Sequence, residues 1–437
     1  METVNIVGGG LAGTECALYL ANCGIKVNLF DIKPDFTTPA HKSKNFAELV
    51  CSNSLKSKDV YGNACGLLKE EMLRLGSSVI KVAFECGVPA GNALAVDREK
   101  FSSTLTQMIT SHKNIKVISA EVTDLLDGIT VFATGPLTTD SLSKKISELV
   151  GEGLHFYDAS APIVTKESLD VDNYFVGDRY DKGDGDHINC PISKEEYTQL
   201  YNQLINAEKV VLKEFETTDV FEGCMPIEVM ASRGFDTLRF GPLKPAGLTD
   251  PKTGRWPFAC LQLRKENKEG SIYNLIGFQT NLKFGEQKRV FSIIPALKNA
   301  EFVRLGVMHR NTYINSPECL KSDFSLKQNP NVYFAGQITG VEGYVESTAS
   351  GLMVAINIKR RLAGKKPIDF PNQTVLGSLC RHISTQTKDF QPMNANFGIL
   401  PQTEYHIKDK AERKKYMAIR SLEKIDIIKR EIDNDDV

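Results

Sequence analysis

The first 31 residues constrain the fold more than any other part of the chain. An apolar strand is predicted at 3–7 and runs directly into the turn Gly8-Gly9-Gly10-Leu11-Ala12-Gly13, which has glycines at the GxGxxG positions. A helical stretch at 14–23 and a second strand at 26–30 follow, and the second strand ends in Asp31. This order of strand, glycine turn, helix and acidic strand end predicts a dinucleotide-binding unit.

Each glycine of this fingerprint has its own predicted role. Gly8 allows the tight turn, Gly10 lets the backbone approach a pyrophosphate, and Gly13 lets the helix pack closely on the strand. The N-terminus of the helix attracts phosphate charge, and Asp31 is expected to accept hydrogen bonds from a ribose. FAD or NAD is therefore the predicted ligand, and a glycine-rich turn without a ligand is the alternative.

A second glycine-rich segment favours FAD. A strand predicted at 331–335 leads into a turn with three glycines, and a helix with small residues at its start follows at 347–362. Flavoproteins of this type approach the flavin ring with such a turn, and an ordinary strand-to-helix turn is the alternative. The residues predicted to contact the cofactor are Gly8, Gly9, Gly10, Leu11, Ala12, Gly13, Asp31, Gly336, Gly340, Gly343 and Tyr344.

Composition bounds the class of protein. The chain has 437 residues, of which 41% are hydrophobic, and this length predicts two or three globular domains. The formal net charge of −1 predicts no general affinity for nucleic acid, so DNA is not expected and an RNA site must be a local basic face. The chain has no run of eighteen apolar residues, and it opens directly into a strand, so neither a membrane span nor a signal peptide is expected. The ten cysteines form no CxxC pair and no metal spacing, which predicts a reduced, cytoplasmic protein without a metal site.

The predicted fold class is α/β, with a glutathione-reductase-like, Rossmann-type FAD-binding domain and an α/β insertion domain. The FAD-binding domain is predicted to consist of residues 1–190 and 326–437, and the insertion domain of residues 191–325. An amphipathic helix with Ser193 as its N-cap marks the change of pattern. A charged helix at 408–432 ends the chain and is read as a surface helix, with a basic RNA-contacting arm as the alternative.

Two cysteines stand in polar, turn-forming surroundings. Cys51 follows an apolar stretch and has lysines nearby that favour a thiolate, and Cys224 lies between Gly223 and the turn at Pro226. Most free cysteines are small buried hydrophobes, so composition alone favours a structural role for both. The basic loop around Arg233, Arg239 and Lys244 is a candidate site for an anionic substrate, and Tyr313 and Tyr344 are candidates for stacking on a ring.

The chain resembles the folate- and FAD-dependent tRNA uracil-5-methyltransferases, the TrmFO family. The most specific matches are Phe46-Ala47-Glu48-Leu49-Val50-Cys51-Ser52-Asn53-Ser54-Leu55 and Phe221-Glu222-Gly223-Cys224-Met225-Pro226-Ile227-Glu228. Further matching stretches lie at 38–41, 66–72, 88–91, 93–98, 276–280, 306–317, 340–347 and 392–398. The resemblance therefore covers nearly the whole chain.

The resemblance implies a reaction and a pair of catalytic residues. The family transfers a one-carbon unit from 5,10-methylenetetrahydrofolate to carbon 5 of a uridine, here expected to be uridine 54 in the T-loop of tRNA. NADH or NADPH reduces the FAD, and the two cysteines of the family correspond to Cys51 and Cys224. A thiolate that adds to carbon 6 of uracil makes carbon 5 nucleophilic, and a base then removes the carbon-5 proton. Cys224 is assigned as the attacking thiol and Cys51 as its partner or base, although the two roles could be exchanged.

Three other functions remain open at the level of sequence. The first is the same chemistry on a uridine of 23S ribosomal RNA. The second is that of the flavin-dependent tRNA wobble-uridine modifiers, which work with a GTPase partner; the Cys224 motif and the chain's end at Val437 argue against it. The third is a non-catalytic RNA-binding flavoprotein, for which the loss of both cysteines would change nothing.

Overall fold

The computed structural model describes residues 2–37, 41–151, 154–159, 161–181, 185–210, 225–267, 270–306, 308–387 and 390–434. The strands are β1 Thr3–Val7, β2 Lys26–Asp31, β3 Ser54–Ser57, β4 Gly87–Val88, β5 Ala93–Val96, β6 Ile115–Ser119, β7 Thr130–Phe132, β8 Leu154–Ala159, β9 Ile163–Thr165, β10 Phe175–Val176, β11 Ile188–Ile192, β12 Ala259–Lys265, β13 Ile272–Leu275, β14 Phe302–Arg304, β15 Met308–Tyr313 and β16 Val332–Phe334. The α-helices are α1 Leu11–Asn22, α2 Ala64–Arg74, α3 Ser78–Glu85, α4 Arg98–Ser111, α5 Asp140–Val150, α6 Lys194–Asn206, α7 Ile227–Ser232, α8 Thr237–Phe240, α9 Phe284–Phe291, α10 Ser316–Cys319, α11 Tyr344–Leu362, α12 Val375–Ser384 and α13 Lys410–Asp433.

The first sheet is parallel and contains the predicted dinucleotide unit. Its described strands are ordered β16-β7-β1-β2-β6, and each neighbouring pair is parallel. Strand β16 pairs with β7 although some 200 residues separate them in the sequence. The chain therefore returns to the first sheet after a long excursion, and the α/β fold class is confirmed.

The second sheet is antiparallel and is built from the excursion. Its described strands are ordered β10-β11-β12-β13-β9-β14. The domain boundaries at residues 190 and 325 stay a prediction. Strands β9, β10 and most of β11 nevertheless precede residue 191. The second sheet therefore includes residues that the prediction assigned to the first segment of the FAD-binding domain. These strands are two to five residues long, too short to show a clear alternating pattern in the sequence.

Helices α1 and α11 pack against each other beside the first sheet. A Cβ atom on Gly351 would lie 2.2 Å from the carbonyl oxygen of Ala12, so the glycine allows the two backbones to approach. Helix α13 places Met417, Leu422 and Ile425 in the core, and its outer face is mostly charged but also exposes Ile419 and Ile427. In the part of the chain that the structure describes, no helix is both long enough and apolar enough to cross a lipid bilayer.

Buried carboxylates satisfy helix N-termini next to this packing. The Glu71 side chain on α2 accepts hydrogen bonds from the backbone N–H groups of Val375 and Leu376, at 2.8 and 2.9 Å, in the first turn of α12. Burial raises the pKa of Glu71 from 4.5 to about 7, although these hydrogen bonds oppose the rise. Glu15 on α1 caps α3 in the same way, and burial raises its pKa to about 7 as well.

We expect the free energy of unfolding to fall as the pH rises from about 4.5 to about 7. The folded protein keeps protons on Glu15 and Glu71 that the unfolded chain releases above 4.5, so the stabilisation is complete below 4.5 and is lost as the pH passes the folded pKa. Each carboxyl contributes up to about 3 kcal/mol. Urea unfolding at pH 5 and pH 8 measures the effect, and Glu71→Gln should flatten the dependence while Glu70→Gln on the same helix should not. An unchanged slope for Glu71→Gln would contradict the assignment.

Candidate active site

A cavity opens at the carboxyl ends of β1 and β2, where the fingerprint lies. Gly8, Gly9, Gly10 and Asp31 line it, and the Gly9 N–H donates to Asp31 Oδ2 at 2.6 Å. Helix α1 begins directly after Gly10, so its first N–H groups lie at the cavity. A Cβ atom on Gly10 would have no protein atom within 4 Å, which leaves open space in front of the helix N-terminus.

The other two fingerprint glycines hold the turn together. Gly8 has a φ of +105°, and an added Cβ would lie 2.6 Å from the carbonyl oxygen of Ala133. A Cβ on Gly13 would lie 1.9 Å from the carbonyl oxygen of Gly8. Gly13 thus packs helix on strand, as the sequence predicts, and does not line the cavity.

A second cavity of about 350 Å³ continues from the first toward the end of β16. Gly10, His41, Glu48, Ala133 and Thr134 line both cavities, so the two form one cleft. The predicted cofactor residues that line the second cavity are Gly10, Leu11, Ala12, Gly336, Gly343 and Tyr344, and Cys51 lines it too. Gly340, also a predicted cofactor residue, does not line the cleft, and a Cβ atom added to it would lie 2.5 Å from the Phe390 ring.

The thiol of Cys51 meets the phenol of Tyr344 in the second cavity. Cys51 Sγ lies 2.9 Å from Tyr344 Oη, and the N–H groups of Cys51 and Ser52 donate to the same oxygen at 2.7 and 3.3 Å. With its lone pairs engaged by two N–H groups, the phenol is left to donate its proton to the sulfur. Burial and the nearby Cys51 raise the pKa of Tyr344 well above 10, so the phenol keeps that proton. Tyr344 therefore holds the thiol, a role that differs from the predicted ring stacking.

Replacing Tyr344 by phenylalanine should slow the reaction that uses the Cys51 thiol by about 10- to 100-fold, since a hydrogen bond to a charged sulfur is lost. The ring remains, so cofactor content should be unchanged. Single-turnover rates and the rate of thiol alkylation at fixed pH measure the effect. Tyr313→Phe is the matched control, because Tyr313 is buried against Phe390 outside the cleft. Equal rates for the two variants would exclude a role for the phenol.

Three arginines from separate elements hold the loop 49–53 that carries Cys51. Arg98 of α4 and Arg304 of β14 donate to backbone carbonyl groups of the loop, Arg98 at 2.9 Å. Arg264 of β12 donates to the loop's serine hydroxyl at 2.8 Å. The second sheet thus supplies two of the three arginines that position the loop of Cys51.

These arginines make the surroundings of Cys51 electropositive. Burial lowers the pKa values of Arg264 and Arg304, and the positive charge of nearby Arg98 lowers both values further. The three guanidinium groups therefore lie close together. Glu266 neutralises one charge through its ion pair with Arg98, at 2.7 Å. A net positive field of this kind favours a thiolate over a thiol.

Lys56, which lines the second cavity, belongs to an ion pair. Lys56 Nζ lies 2.9 Å from Glu346 Oε1, in the first turn of α11. Burial alone would lower the pKa of Lys56, but the charge of Glu346 raises it above its usual value. A Cβ on Gly343 would lie 2.3 Å from Glu346 Oε2, so the predicted glycine is needed for this arrangement.

The second predicted cysteine, Cys224, lies outside the described residues. The described chain resumes at Met225, where the Ile227 N–H donates to the Gln279 carbonyl oxygen at 2.8 Å, and Gln279 lines the second cavity. Sequence reasoning missed Arg98, Arg264 and Arg304. Arginines at ordinary spacing carry no signal of their own, and only Arg98 stands in a stretch that matched the family.

The cleft fits an extended dinucleotide. One end offers the open face of Gly10, the start of α1 and the Asp31 carboxylate, which suit a pyrophosphate and a ribose. The other end is wider and mostly apolar, and it carries the Cys51 thiol, which suits a flat ring next to a reacting group.

Comparison with known proteins identifies the kind of fold. The family model described as Glucose inhibited division protein A matches residues 3–366. Two solved structures of Aquifex aeolicus GidA superpose with TM-scores of 0.72 and 0.73 at 16% identity, covering 99% of this chain and 73% and 76% of theirs. At this identity the likeness shows the fold alone. Fold and site together define a Rossmann-type α/β protein of the GidA kind, with a thiol in its cleft.

More similar relatives specify the family. Proteins of Acetivibrio thermocellus, Enterococcus faecalis and Bacillus subtilis are 55%, 54% and 52% identical over 425, 424 and 433 residues. The matches cover 97%, 97% and 99% of this chain and equal shares of the relatives. Each relative is named methylenetetrahydrofolate–tRNA-(uracil-5-)-methyltransferase TrmFO. The chain belongs to the TrmFO family, and the resemblance seen in its cysteine-bearing stretches is confirmed.

Proposed function

We propose that this protein methylates carbon 5 of a uridine in tRNA, with 5,10-methylenetetrahydrofolate as the one-carbon donor, FAD as the bound cofactor and NADH or NADPH as the reductant. The position of Cys51 carries the proposal, because its thiol lines the cavity that continues from the dinucleotide fingerprint. Full-length relatives named for this activity support it. The names of these relatives specify tRNA, so tRNA is the proposed substrate. Uridine 54 of the T-loop, which the family resemblance implies, is the proposed target, and the cytoplasm is the proposed compartment.

The reaction balances as uridine, methylenetetrahydrofolate, NAD(P)H and a proton giving 5-methyluridine, tetrahydrofolate and NAD(P)⁺. Bound FAD supplies hydride chemistry between the nicotinamide and the one-carbon unit. The protein's own residues hold the base and move protons. One cysteine thiolate would add to carbon 6 of uracil, and carbon 5 would then form a bond to the one-carbon unit. A base would remove the carbon-5 proton as the thiolate leaves, and the bond from the one-carbon unit to its donor nitrogen would break as a hydride replaces it, which gives the methyl group.

This sequence of events needs one attacking thiolate and one base. We assign Cys224 to the attack on carbon 6 and Cys51 to the partner role. The phenol of Tyr344 and the guanidinium groups of Arg98, Arg264 and Arg304 would keep Cys51 ionised and so able to accept a proton. Uridine in a folded RNA loop must also leave its stack to reach such a cleft.

The test is a methylation assay with purified holoprotein and methylenetetrahydrofolate labelled in its one-carbon unit. Unmodified tRNA and unmodified 23S ribosomal RNA are offered separately, with NADH or NADPH. Label in the tRNA T-loop is expected. Label confined to ribosomal RNA would overturn the substrate, and NAD(P)H oxidation without label in either RNA would overturn the transfer itself.

A further inference from the structure

Two aromatic side chains lie exposed side by side near one end of the second sheet. Tyr180 is 57% exposed and Trp256, the chain's single tryptophan, is 55% exposed. Their ring centroids are 6.5 Å apart, with the planes at 85°. We call this pair the aromatic platform. Adjacent large aromatics in solvent are typical of binding surfaces.

The platform is built at a conformational cost. Tyr180 has φ 58° and ψ 27°, a left-handed conformation that bulky residues rarely adopt. The Tyr180 N–H donates to the Gly247 carbonyl oxygen at 2.7 Å. The Tyr180 ring packs on Gly247, where an added Cβ atom would lie 2.8 Å from the ring carbons. Arg179 fixes the adjoining loop by donating to the carbonyl groups of Lys244 and Ala246 at 2.8 and 2.6 Å. The fold therefore maintains a strained residue whose ring faces solvent.

Two cations lie near the platform. Arg255 precedes Trp256 in the sequence, and Lys244 lies in the loop that Arg179 holds. Both are exposed, and neither side chain makes a hydrogen bond or ion pair with the described part of the chain. Two acidic groups of the described loops are engaged elsewhere: Asp236 pairs with Arg239 at 2.7 Å, and buried Asp250 accepts from the backbone of its own turn. Among these described side chains, the surface is therefore aromatic and positive.

The loop that bears Lys244 also contacts the wall of the catalytic cleft. Pro242 packs on Gly277, where an added Cβ would lie 2.5 Å from the Pro242 Cβ. Two residues further on, Gln279 lines the second cavity. A polymer that reaches the cleft could thus extend along this loop to the platform.

We propose that the aromatic platform, with Lys244 and Arg255, binds the substrate RNA outside the cleft by stacking an unpaired base and contacting phosphates. The inference rests on the proposed tRNA substrate and goes beyond it by assigning a second contact surface. Exposed aromatics beside unpaired cations match a nucleic acid, since every base offers a flat face and every phosphate a charge. An acidic protein partner would use the charges but would not need the exposed rings.

The test measures binding of unmodified tRNA to FAD-loaded full-length protein by fluorescence anisotropy at several salt concentrations. Trp256→Ala should weaken binding by about 10- to 100-fold, and Trp256→Phe, which keeps a ring, by no more than about threefold. The double variant Lys244→Glu, Arg255→Glu should reduce the slope of log tRNA affinity against log salt concentration by an amount that corresponds to about two phosphate contacts. Lys113→Glu, an exposed lysine at the turn before β6, is the charge control and should change neither value.

Five readouts separate the outcomes: flavin absorbance, melting temperature, tRNA affinity, size-exclusion chromatography and label transfer. Flavin absorbance and melting temperature confirm that each variant folds. Unchanged tRNA affinity in Trp256→Ala overturns the platform, even if wild-type protein methylates tRNA normally. A shift of that variant in size-exclusion chromatography without a change in RNA affinity also overturns it, in favour of a contact between copies of the chain. Wild-type protein that binds tRNA through Trp256 but transfers no label would instead refute the proposed methylation and leave the platform standing.

Discussion

Alanine at Cys51 should lower the rate of one-carbon transfer to tRNA by about 10³-fold or more, while FAD and tRNA stay bound. The substitution removes the thiol from the cavity but keeps the backbone N–H that donates to Tyr344. The arginine contacts to loop 49–53 do not involve the sulfur, so the loop should keep its position. The expected loss is therefore in the chemistry rather than in binding.

Labelled methylenetetrahydrofolate measures this loss, with Cys23→Ala as the matched control. Cys23 is an exposed cysteine at the end of α1 and lies outside the cleft. Cys224→Ala should lose transfer to a similar extent. RNA that contains 5-fluorouracil, whose carbon 5 bears no proton to remove, should form a covalent adduct with the cysteine that attacks carbon 6. An adduct that persists in Cys51→Ala but not in Cys224→Ala supports our assignment, and the reverse would exchange the roles. Cys51→Ala protein with more than a tenth of wild-type activity would refute a catalytic role for that thiol.

The dinucleotide unit could be predicted because its signals are local. Strand β1 spans the predicted residues, and β2 extends one residue further to Asp31. Helix α1 begins at Leu11, three residues earlier than predicted, because Gly13 is accommodated inside the first turn where the helix touches the strand. The capping box of Ser193 and Glu196 likewise marks the start of α6 in the sequence itself.

The pairing of distant segments could not be predicted in the same way. Strands β7 and β16 are three residues each, and only their parallel pairing brings the late glycine turn to the fingerprint. The second glycine-rich segment and its likeness to flavoproteins predicted this return, whereas hydrophobic periodicity did not require it. Strand β9 is also too short to place from the sequence, because the three residues Ile163–Thr165 do not reveal which sheet they join.

The orientation of side chains in the site was also beyond the sequence. Tyr344 lines the second cavity, and its contact with the cofactor stays a prediction; the sequence pattern could not show that its hydroxyl meets Cys51. The arginines around Cys51 come from positions 98, 264 and 304, and only folding brings them together. Electrostatic preorganisation is a property of the assembled site, so motif spacing does not reveal it.

Valine at Gly10 should give folded protein without bound FAD. An added Cβ on Gly10 meets no protein atom within 4 Å, and its φ of −70° suits any residue, so the apoprotein has no reason to distort. The open space is where the proposed pyrophosphate would approach the N-terminus of α1. We expect FAD affinity to fall by about 100-fold or more. The purified protein should lack the yellow flavin absorbance.

Gly13→Val separates this effect from damage to the fold. Its Cβ would lie 1.9 Å from the Gly8 carbonyl oxygen, so the backbone must shift, and the free energy of unfolding should drop by about 1–3 kcal/mol or more. Flavin content and urea unfolding of the apoproteins measure the two effects independently. Gly10→Val should lose flavin at near wild-type apoprotein stability, whereas Gly13→Val should lose both. In the described structure, no protein atom lies within 4 Å of a Cβ atom added to Gly10, so the valine side chain would project into the space proposed for the pyrophosphate. Gly10→Val protein that retains a full complement of FAD would therefore show that the pyrophosphate binds elsewhere.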